Sequence, residues 1–383
     1  MRALVDERIS DLVDATIDRL AGEHRTGMEE RARKAMSAGR RRQRRHRMSS
    51  AVGFVMASAA LVGAGVVAWI ALGPLDADDP VPRRPAGTDG GTPAARNGTI
   101  VFVCEPSGYE SVYTIALCGI SPDGTRRFEL TAPGNVDDEP EWSPDGARLA
   151  FTRYLLNDEG VETGSVIVLV DEVGQEREVP LGPGYHSSPT WAPDGETIAY
   201  VESPGRIFTV RLDGSQPVKL TDEPENADLN ELTPSWSPDG SLIAYTHIQY
   251  DPQTESDLQS IYLINSDGTE EPRILTEPEL MASDPKWSSD GKQIAFTSER
   301  GPYGDVYVIN VDGTGLRRLT EDVSPSGGAV WSPDGTKIAF GGERDGKAGL
   351  YIMDLDSGAI SLLTEDEGAD PTWQPLIEPE VVQ

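Results

Sequence analysis

Histidine and cysteine are scarce in this chain, with four histidines and two cysteines in 383 residues. A zinc site draws several such ligands together at set spacings, and no such spacing occurs here, so no metal ligand is assigned. Only His186 and His247 lie beyond the long apolar run described below. There is no Gly-x-Ser-x-Gly elbow, the usual signature of a serine hydrolase. His186-Ser187-Ser188 does not replace it, because adjacent residues on an extended strand point to opposite faces. No catalytic residue and no cofactor are assigned. Positive charge is scarce as well, with 33 Lys+Arg against 64 Asp+Glu and a net charge of −31. Residues 1–48 hold 13 of the basic and 8 of the acidic side chains, so the rest of the chain carries −36. A surface that acidic repels phosphate backbones and anionic lipid, which excludes nucleic acid as a partner. It favours solubility and attracts cationic partners or divalent ions.

Long apolar runs are limited to one, residues 49–73, which contain no charged side chain. That is enough to cross a bilayer, which needs roughly 20 apolar residues. Six arginines lie just before it, between Arg40 and Arg47, and Asp76, Asp78 and Asp79 follow it. This asymmetry predicts a single-pass helix with the N-terminus in the cytoplasm. A cleaved signal peptide is the rival reading. It is disfavoured by the 48 residues ahead of the run and by the lack of a small-x-small site after it. Within residues 1–48, Ile9, Leu12, Val13, Ile17 and Leu20 recur at helical spacing as an apolar stripe. Such a helix is too short to bury its stripe alone, so it predicts a cytoplasmic regulator, a membrane surface or a second copy as its partner. Residues 74–97 are rich in Pro, Gly, Asp and Thr and read as a flexible linker.

Beyond the linker the chain repeats itself. Trp142-Ser-Pro-Asp-Gly, Trp191-Ala-Pro-Asp-Gly, Trp236-Ser-Pro-Asp-Gly, Trp287-Ser-Ser-Asp-Gly and Trp331-Ser-Pro-Asp-Gly are followed by a truncated Trp373-Gln-Pro. The tryptophans are 49, 45, 51, 44 and 42 residues apart, a period in which each unit must stack on its neighbours to bury its apolar faces. Each unit holds four short strands separated by turns rich in Asp and Gly, as in Lys337-Ile-Ala-Phe340, Leu350-Tyr-Ile-Met353 and Ile360-Ser-Leu-Leu-Thr364. Four such strands make one antiparallel blade. Five full units are present, and Gly98–Thr131 supplies strands two to four of another. Its missing first strand is the orphan around Trp373. The sequence therefore predicts an all-β, six-bladed propeller over 98–376, closed by strands from both its ends, with a disordered tail at 377–383.

The pattern Pro-x-Trp-Ser-Pro-Asp-Gly, then Ile-Ala-Phe, then Tyr and Asp-Gly, then Leu-Thr resembles the propeller repeat of the TolB family, a relative of the WD-repeat group. The resemblance covers about residues 98–375 and implies an extracytoplasmic binding module rather than an enzyme. TolB itself carries a small α/β domain ahead of its propeller, and here a membrane anchor takes that place. With the span, the resemblance places the protein in a bacterial inner membrane, propeller outside. The layout of cytoplasmic stub, single span and outer domain is similar to that of membrane-bound anti-sigma factors, although residues 1–48 contain no cysteine and so lack their His-x-x-x-Cys-x-x-Cys motif. The resemblance also implies that the Trp-Ser-Pro strand is innermost and that residues just upstream rim the channel mouth. Those positions give Asp138, Glu139, Ser187, Ser188, Thr233, Ser283, Asp284 and Asp370 as a candidate surface for a protein or small ligand.

Two further readings concern single residue types. Cys104 and Cys118 fall on adjacent antiparallel strands of the first unit. In an oxidising compartment they are expected to form a disulfide, two buried thiols being the alternative. The repeated Asp of each Asp-Gly pair (Asp145, Asp194, Asp239, Asp290, Asp334) is expected to serve the turn rather than calcium, because no Asp-x-Asp-x-Asp-Gly loop is present. The function expected is non-catalytic binding of an envelope or extracellular partner, relayed to the cytoplasm in one version. The alternatives are a propeller hydrolase or lyase and a Tol-system-like structural protein.

Overall fold

The computed structural model describes residues 95–377 except 105–114, 133, 159, 222–229, 252–255, 300–303, 322 and 367–368. The expected cytoplasmic segment with its stripe Ile9, Leu12, Val13, Ile17 and Leu20, the span 49–73 and most of the linker lie outside the described residues. Among the described residues no helix is long and apolar enough to cross a membrane.

Six four-stranded antiparallel sheets are present among the described residues. Their first strands are Ala369–Ile377 (blade 1), Val136–Trp142 (blade 2), His186–Trp191 (blade 3), Asn230–Trp236 (blade 4), Ala282–Trp287 (blade 5) and Ser324–Trp331 (blade 6). Each of these strands touches the one before and the one after it, and the strand of blade 6 touches that of blade 1. The six blades therefore close into a ring with these strands around its axis.

Burial within a blade follows distance from solvent. The second strands are continuous buried runs, such as Leu149–Thr152, Ile198–Val201 and Ile243–Thr246, because a neighbouring blade covers each of their faces. Most of the fourth strands are two or three residues long and carry charge, and Glu176–Glu178 and Arg317–Arg318 are exposed throughout. Charged, short outer edges keep the propeller from pairing with other sheets. The apolar cores lie between blades. Trp191, Ile198 and Tyr200 of blade 3 pack on Ala150, Ile167 and Leu169 of blade 2. Trp331, Ile338 and Phe340 of blade 6 pack likewise on Ala295, Val306 and Val308 of blade 5. The Nε1 of Trp191 donates to the Glu141 carbonyl at 3.0 Å, Trp287 to Ser235 at 3.0 Å and Trp331 to Lys286 at 3.2 Å. In these three blades the tryptophan thus ties its inner strand to that of the preceding blade.

The repeated turn is built from its own side chains. In Ser237-Pro-Asp239-Gly240 the serine hydroxyl donates to Asp239 at 2.6 Å and accepts from the Leu242 N–H at 2.9 Å. Asp239 also accepts from the Ser241 N–H at 3.0 Å. The same pattern recurs at Ser143/Asp145, Ser288/Asp290 and Ser332/Asp334. Hydrogen bonds from Ser237 and Ser288 hold the Asp239 and Asp290 carboxyls below their ordinary pKa. In blade 3, where Ala192 replaces the serine, Asp194 accepts instead from Thr197 Oγ1 at 2.9 Å. Threonines of four Leu-Thr endings anchor the third strand of their blade. Thr131, Thr221, Thr276 and Thr320 accept from the backbone N–H of Leu117, Ile207, Ile261 and Val306 at 2.8–3.0 Å. Among the described residues, no cluster of three or more His, Cys, Asp or Glu side chains is arranged to hold a metal ion.

Blade 1 closes the ring. Ala369–Ile377 pairs with Ala95–Cys104, which pairs with Ala116–Ile120. The pairing extends past the expected limits: Ala95, Arg96 and Asn97 oppose Ile377, Leu376 and Pro375. The linker and tail boundaries therefore move to either side of that pairing, because each chain end satisfies the other's backbone groups. Asn97 is held further by hydrogen bonds with Asp334 in the turn of blade 6. Cys104 and Cys118 form the expected disulfide, with a Cα–Cα distance of 5.8 Å, and both are buried.

Candidate functional site

The axial channel is lined from all six blades. At the position three residues before each tryptophan stand Glu139, Ser188, Thr233, Asp284, Gly328 and Asp370. The position four residues before it is turned away from the channel in three blades. Asp138, Ser187 and Ser283 there are 8%, 5% and 5% exposed and sit beside the lining rather than in it.

The lining position shares one backbone state. Glu139, Ser188, Thr233, Asp284 and Asp370 have φ of 53°, 51°, 51°, 56° and 47°. Each sits where the pairing of the first and second strands slips register. The bulge re-aims the side chain toward the axis. A proline follows each of them (Pro140, Pro189, Pro234, Pro285, Pro371), where the bulge leaves no ladder hydrogen bond for a missing N–H to break. Side chains other than glycine rarely adopt this conformation, at a cost of about 1–3 kcal/mol each. Blade 6 departs from the pattern: Gly328 stands at the lining position, and at Gly327 before it a Cβ would lie 2.3 Å from Asp370 Oδ1. Gly327 thus makes room for that carboxylate, which accepts from the Gly328 N–H at 3.1 Å.

Side-chain hydrogen bonds then link neighbouring blades around the mouth. The Glu139 carboxylate accepts from the Ser188 N–H at 2.7 Å, the Ser188 hydroxyl at 2.9 Å and the Thr152 hydroxyl at 2.8 Å. Burial and the adjacent Asp138 carboxylate outweigh these bonds and raise the Glu139 pKa to about 7. The Asp284 N–H donates to Thr246 Oγ1 at 3.0 Å, and the Asp284 carboxylate accepts from Ser283 and Thr297 at 3.0 and 3.2 Å. Thr233 and Thr246 share a hydrogen bond of 2.9 Å. His186 and His247 are not part of this surface. His186 is buried against Tyr200 and His247 lies on Tyr262, and burial lowers the pKa of both.

Below this ring lies a charged pair that reading only the upstream positions missed. Lys286 Nζ donates to Glu141 Oε2 at 2.6 Å, and Thr190 Oγ1 donates to Glu141 Oε1 at 2.7 Å. Burial disfavours the Lys286 ammonium, but Glu141, aided by Asp370 and Asp284, outweighs it and raises its pKa. The signal was available one residue before each tryptophan, where Glu141 and Lys286 are the two charged residues in a series with Thr190, Ser235, Val330 and Thr372.

Comparison with known proteins follows the fold. The profile of the TolB beta propeller domain matches residues 90–274 and 226–379. A protein TolB homolog of Chlorobium luteolum is 32% identical over 124 residues, which are 32% of this chain and 26% of that protein. The Tol-Pal system protein TolB of Syntrophus aciditrophicus is 38% identical over 53 residues, 14% of this chain and 12% of its own. These alignments thus span about a quarter of such relatives or less. Among solved structures, TolB from Acinetobacter baumannii superposes with a TM-score of 0.58 at 20% identity, over 72% of this chain and 66% of that one. The putative TolB from Agrobacterium tumefaciens gives 0.51 at 20% identity, over 74% and 99%. With the propeller repeats matched from end to end of the ring, the chain belongs to the TolB beta propeller domain family.

Proposed function

We propose that this protein is a membrane-anchored, extracytoplasmic binding module without catalytic chemistry, whose channel mouth takes a cationic segment of an envelope or extracellular protein. The observation that carries the reading is the bulged ring. Glu139, Asp284 and Asp370 are held at the mouth in a costly backbone state, with Lys286 the one basic residue lining the channel among the described residues. Relatives that include a Tol-Pal system protein support an envelope setting, and a Tol-like structural role is a variant of the same reading. The apolar run 49–73 supplies the anchor, and the stripe Ile9–Leu20 supplies a contact for a cytoplasmic regulator or a second copy. Affinity capture from native membranes tests the mouth. Wild-type protein should retain an envelope partner that Asp284→Asn/Asp370→Asn loses, and identical capture by both rejects the mouth as the partner site. Removing residues 1–38 while keeping the arginine cluster should release any cytoplasmic regulator.

One contact favours a second reading, hydrolysis. Ser188, at positive φ, donates its hydroxyl to Glu139 at 2.9 Å, and a carboxylate with a raised pKa suits general-base work. Labelling of Ser188 by a fluorophosphonate, abolished in Glu139→Gln, would favour this reading, and its absence favours the binding module.

A further inference from the structure

Glu141 belongs to blade 2 and Lys286 to blade 5, three steps apart in a ring of six. Their 2.6 Å contact therefore runs across the axis and joins opposite sides of the propeller. The channel that remains has a volume of about 50 Å³. That is room for a few ordered waters, each of which needs about 10–15 Å³ of such space, and too little for an incoming side chain beside Lys286. The two halves of the pair differ in how firmly they are held. Glu141 is fixed by the Thr190 hydroxyl and, through its carbonyl, by Trp191. Lys286 is fixed at its backbone, where its carbonyl accepts from Trp331. Its flexible stem ends in an ammonium whose one direct hydrogen bond among the described residues goes to Glu141. Glu141 is thus the built half of the site and Lys286 the half that can leave.

We propose that this pair is a latch: the Lys286 ammonium is a tethered occupant of a seat on Glu141 that an alkylammonium or guanidinium side chain of a partner takes on binding. The inference rests on the mouth being the partner site. Asp284 and Asp370 line the same cavity and draw a second cation toward it. Lys286 competes with the incoming group, so the apparent affinity for a cationic side chain falls by the fraction of molecules whose latch is open. The latch in this way rejects free small amines and admits a cation only when other contacts at the mouth add to its binding.

The probe is n-butylammonium, the end of a lysine side chain as a free molecule, titrated calorimetrically into the full-length protein in detergent. Lys286→Ala should bind it about tenfold or more tightly than wild type, and Glu141→Gln/Lys286→Ala should bind it no better than wild type. Equal affinity in wild type and Lys286→Ala overturns the latch. A measurement on wild-type protein avoids dependence on the folding of that variant. An amine-directed acylating reagent should modify Lys292, whose side chain is 79% exposed, well before Lys286, and Glu141→Gln should remove the difference. Comparable labelling of the two lysines in wild type also overturns the latch. The mouth reading fails separately. If Asp284→Asn/Asp370→Asn loses the partner while Lys286→Ala gains no amine affinity, the mouth stands and the latch falls. If Lys286→Ala gains the amine while partner capture ignores the aspartates, the seat stands and the mouth reading falls.

Discussion

Replacing Glu139 by glutamine should change how the stability of the propeller depends on pH. In the folded protein this carboxyl titrates near 7 rather than at its ordinary 4.5. A folded-state pKa raised above the unfolded one means that the stabilisation is complete below about pH 4.5 and is lost as pH rises through about 7. A shift of that size, at 1.36 kcal/mol per unit, corresponds to about 3 kcal/mol. Screening by channel water reduces it to about 2 kcal/mol. Glutamine removes the charge and keeps a carbonyl to accept from Ser188 or Thr152. At pH 5 the variant should be no more stable than wild type, having lost one acceptor of a network worth about 1 kcal/mol per bond. At pH 8.5 wild type carries a buried charge beside Asp138 and the variant does not, so the variant should gain about 2 kcal/mol relative to its deficit at pH 5. Urea unfolding at the two pH values and fixed ionic strength, followed by tryptophan fluorescence, measures this difference of differences. Carboxylates remote from Glu139 titrate alike in both proteins and cancel. A variant-minus-wild-type difference that is the same at pH 5 and pH 8.5 refutes the assignment of a raised pKa to Glu139.

Three other outcomes are expected. Cys104→Ala/Cys118→Ala should cost about 3 kcal/mol, as expected for a closed loop of this length, and show as a lower thermal midpoint that reductant does not lower further; the sequence separation is 14. Trp191→Phe should cost about 1 kcal/mol more than Trp142→Phe in chemical denaturation, because Trp191 Nε1 bonds the Glu141 carbonyl while Trp142 Nε1 is buried without a partner; equal costs would deny the tryptophans their role as ties between blades. Gly146→Ala should cost more than Gly358→Ala in the same assay. Both have positive φ (69° and 72°), but only at Gly146 would a Cβ meet backbone, 2.1 Å from the Pro375 carbonyl.

The parts of this fold that could be read from the sequence are those whose causes are local. A serine, an aspartate and a glycine at fixed spacing build one turn in isolation, so Ser237-Pro-Asp-Gly240 announces itself wherever it occurs. Cys104 and Cys118 could be matched because their strands adjoin in one hairpin. The lining could be placed by counting back from each tryptophan, but its left-handed backbone could not, since Glu139 and Asp284 stand where glycine would be the obvious signal. The Glu141–Lys286 contact was out of reach for another reason. The two residues are neighbours only after the ring has closed, and a blade count of five or seven would have placed them off the axis. The pairing of Ala95–Asn97 with Pro375–Ile377 is not legible because both segments are poor in the apolar alternation that marks a strand.

The closing blade also sets an order of events in the life of the chain. Five blades are assembled from consecutive segments, so each can pair its strands and stack on the blade before it as it is made. Blade 1 cannot, because the partner of Ala95–Cys104 is Ala369–Ile377, at the far end of the ring. Until those residues emerge from the ribosome, one edge of the Ala95–Cys104 strand stays open and Trp373 is missing from the core beside Phe102 and Ile352. The Cys104–Cys118 bond needs no such wait, since both cysteines lie within one early hairpin. Oxidation can therefore fasten the receiving half of the seam long before the arriving half exists, and a chain cut short ahead of Ala369 keeps that half exposed as a ready template for another chain's strand.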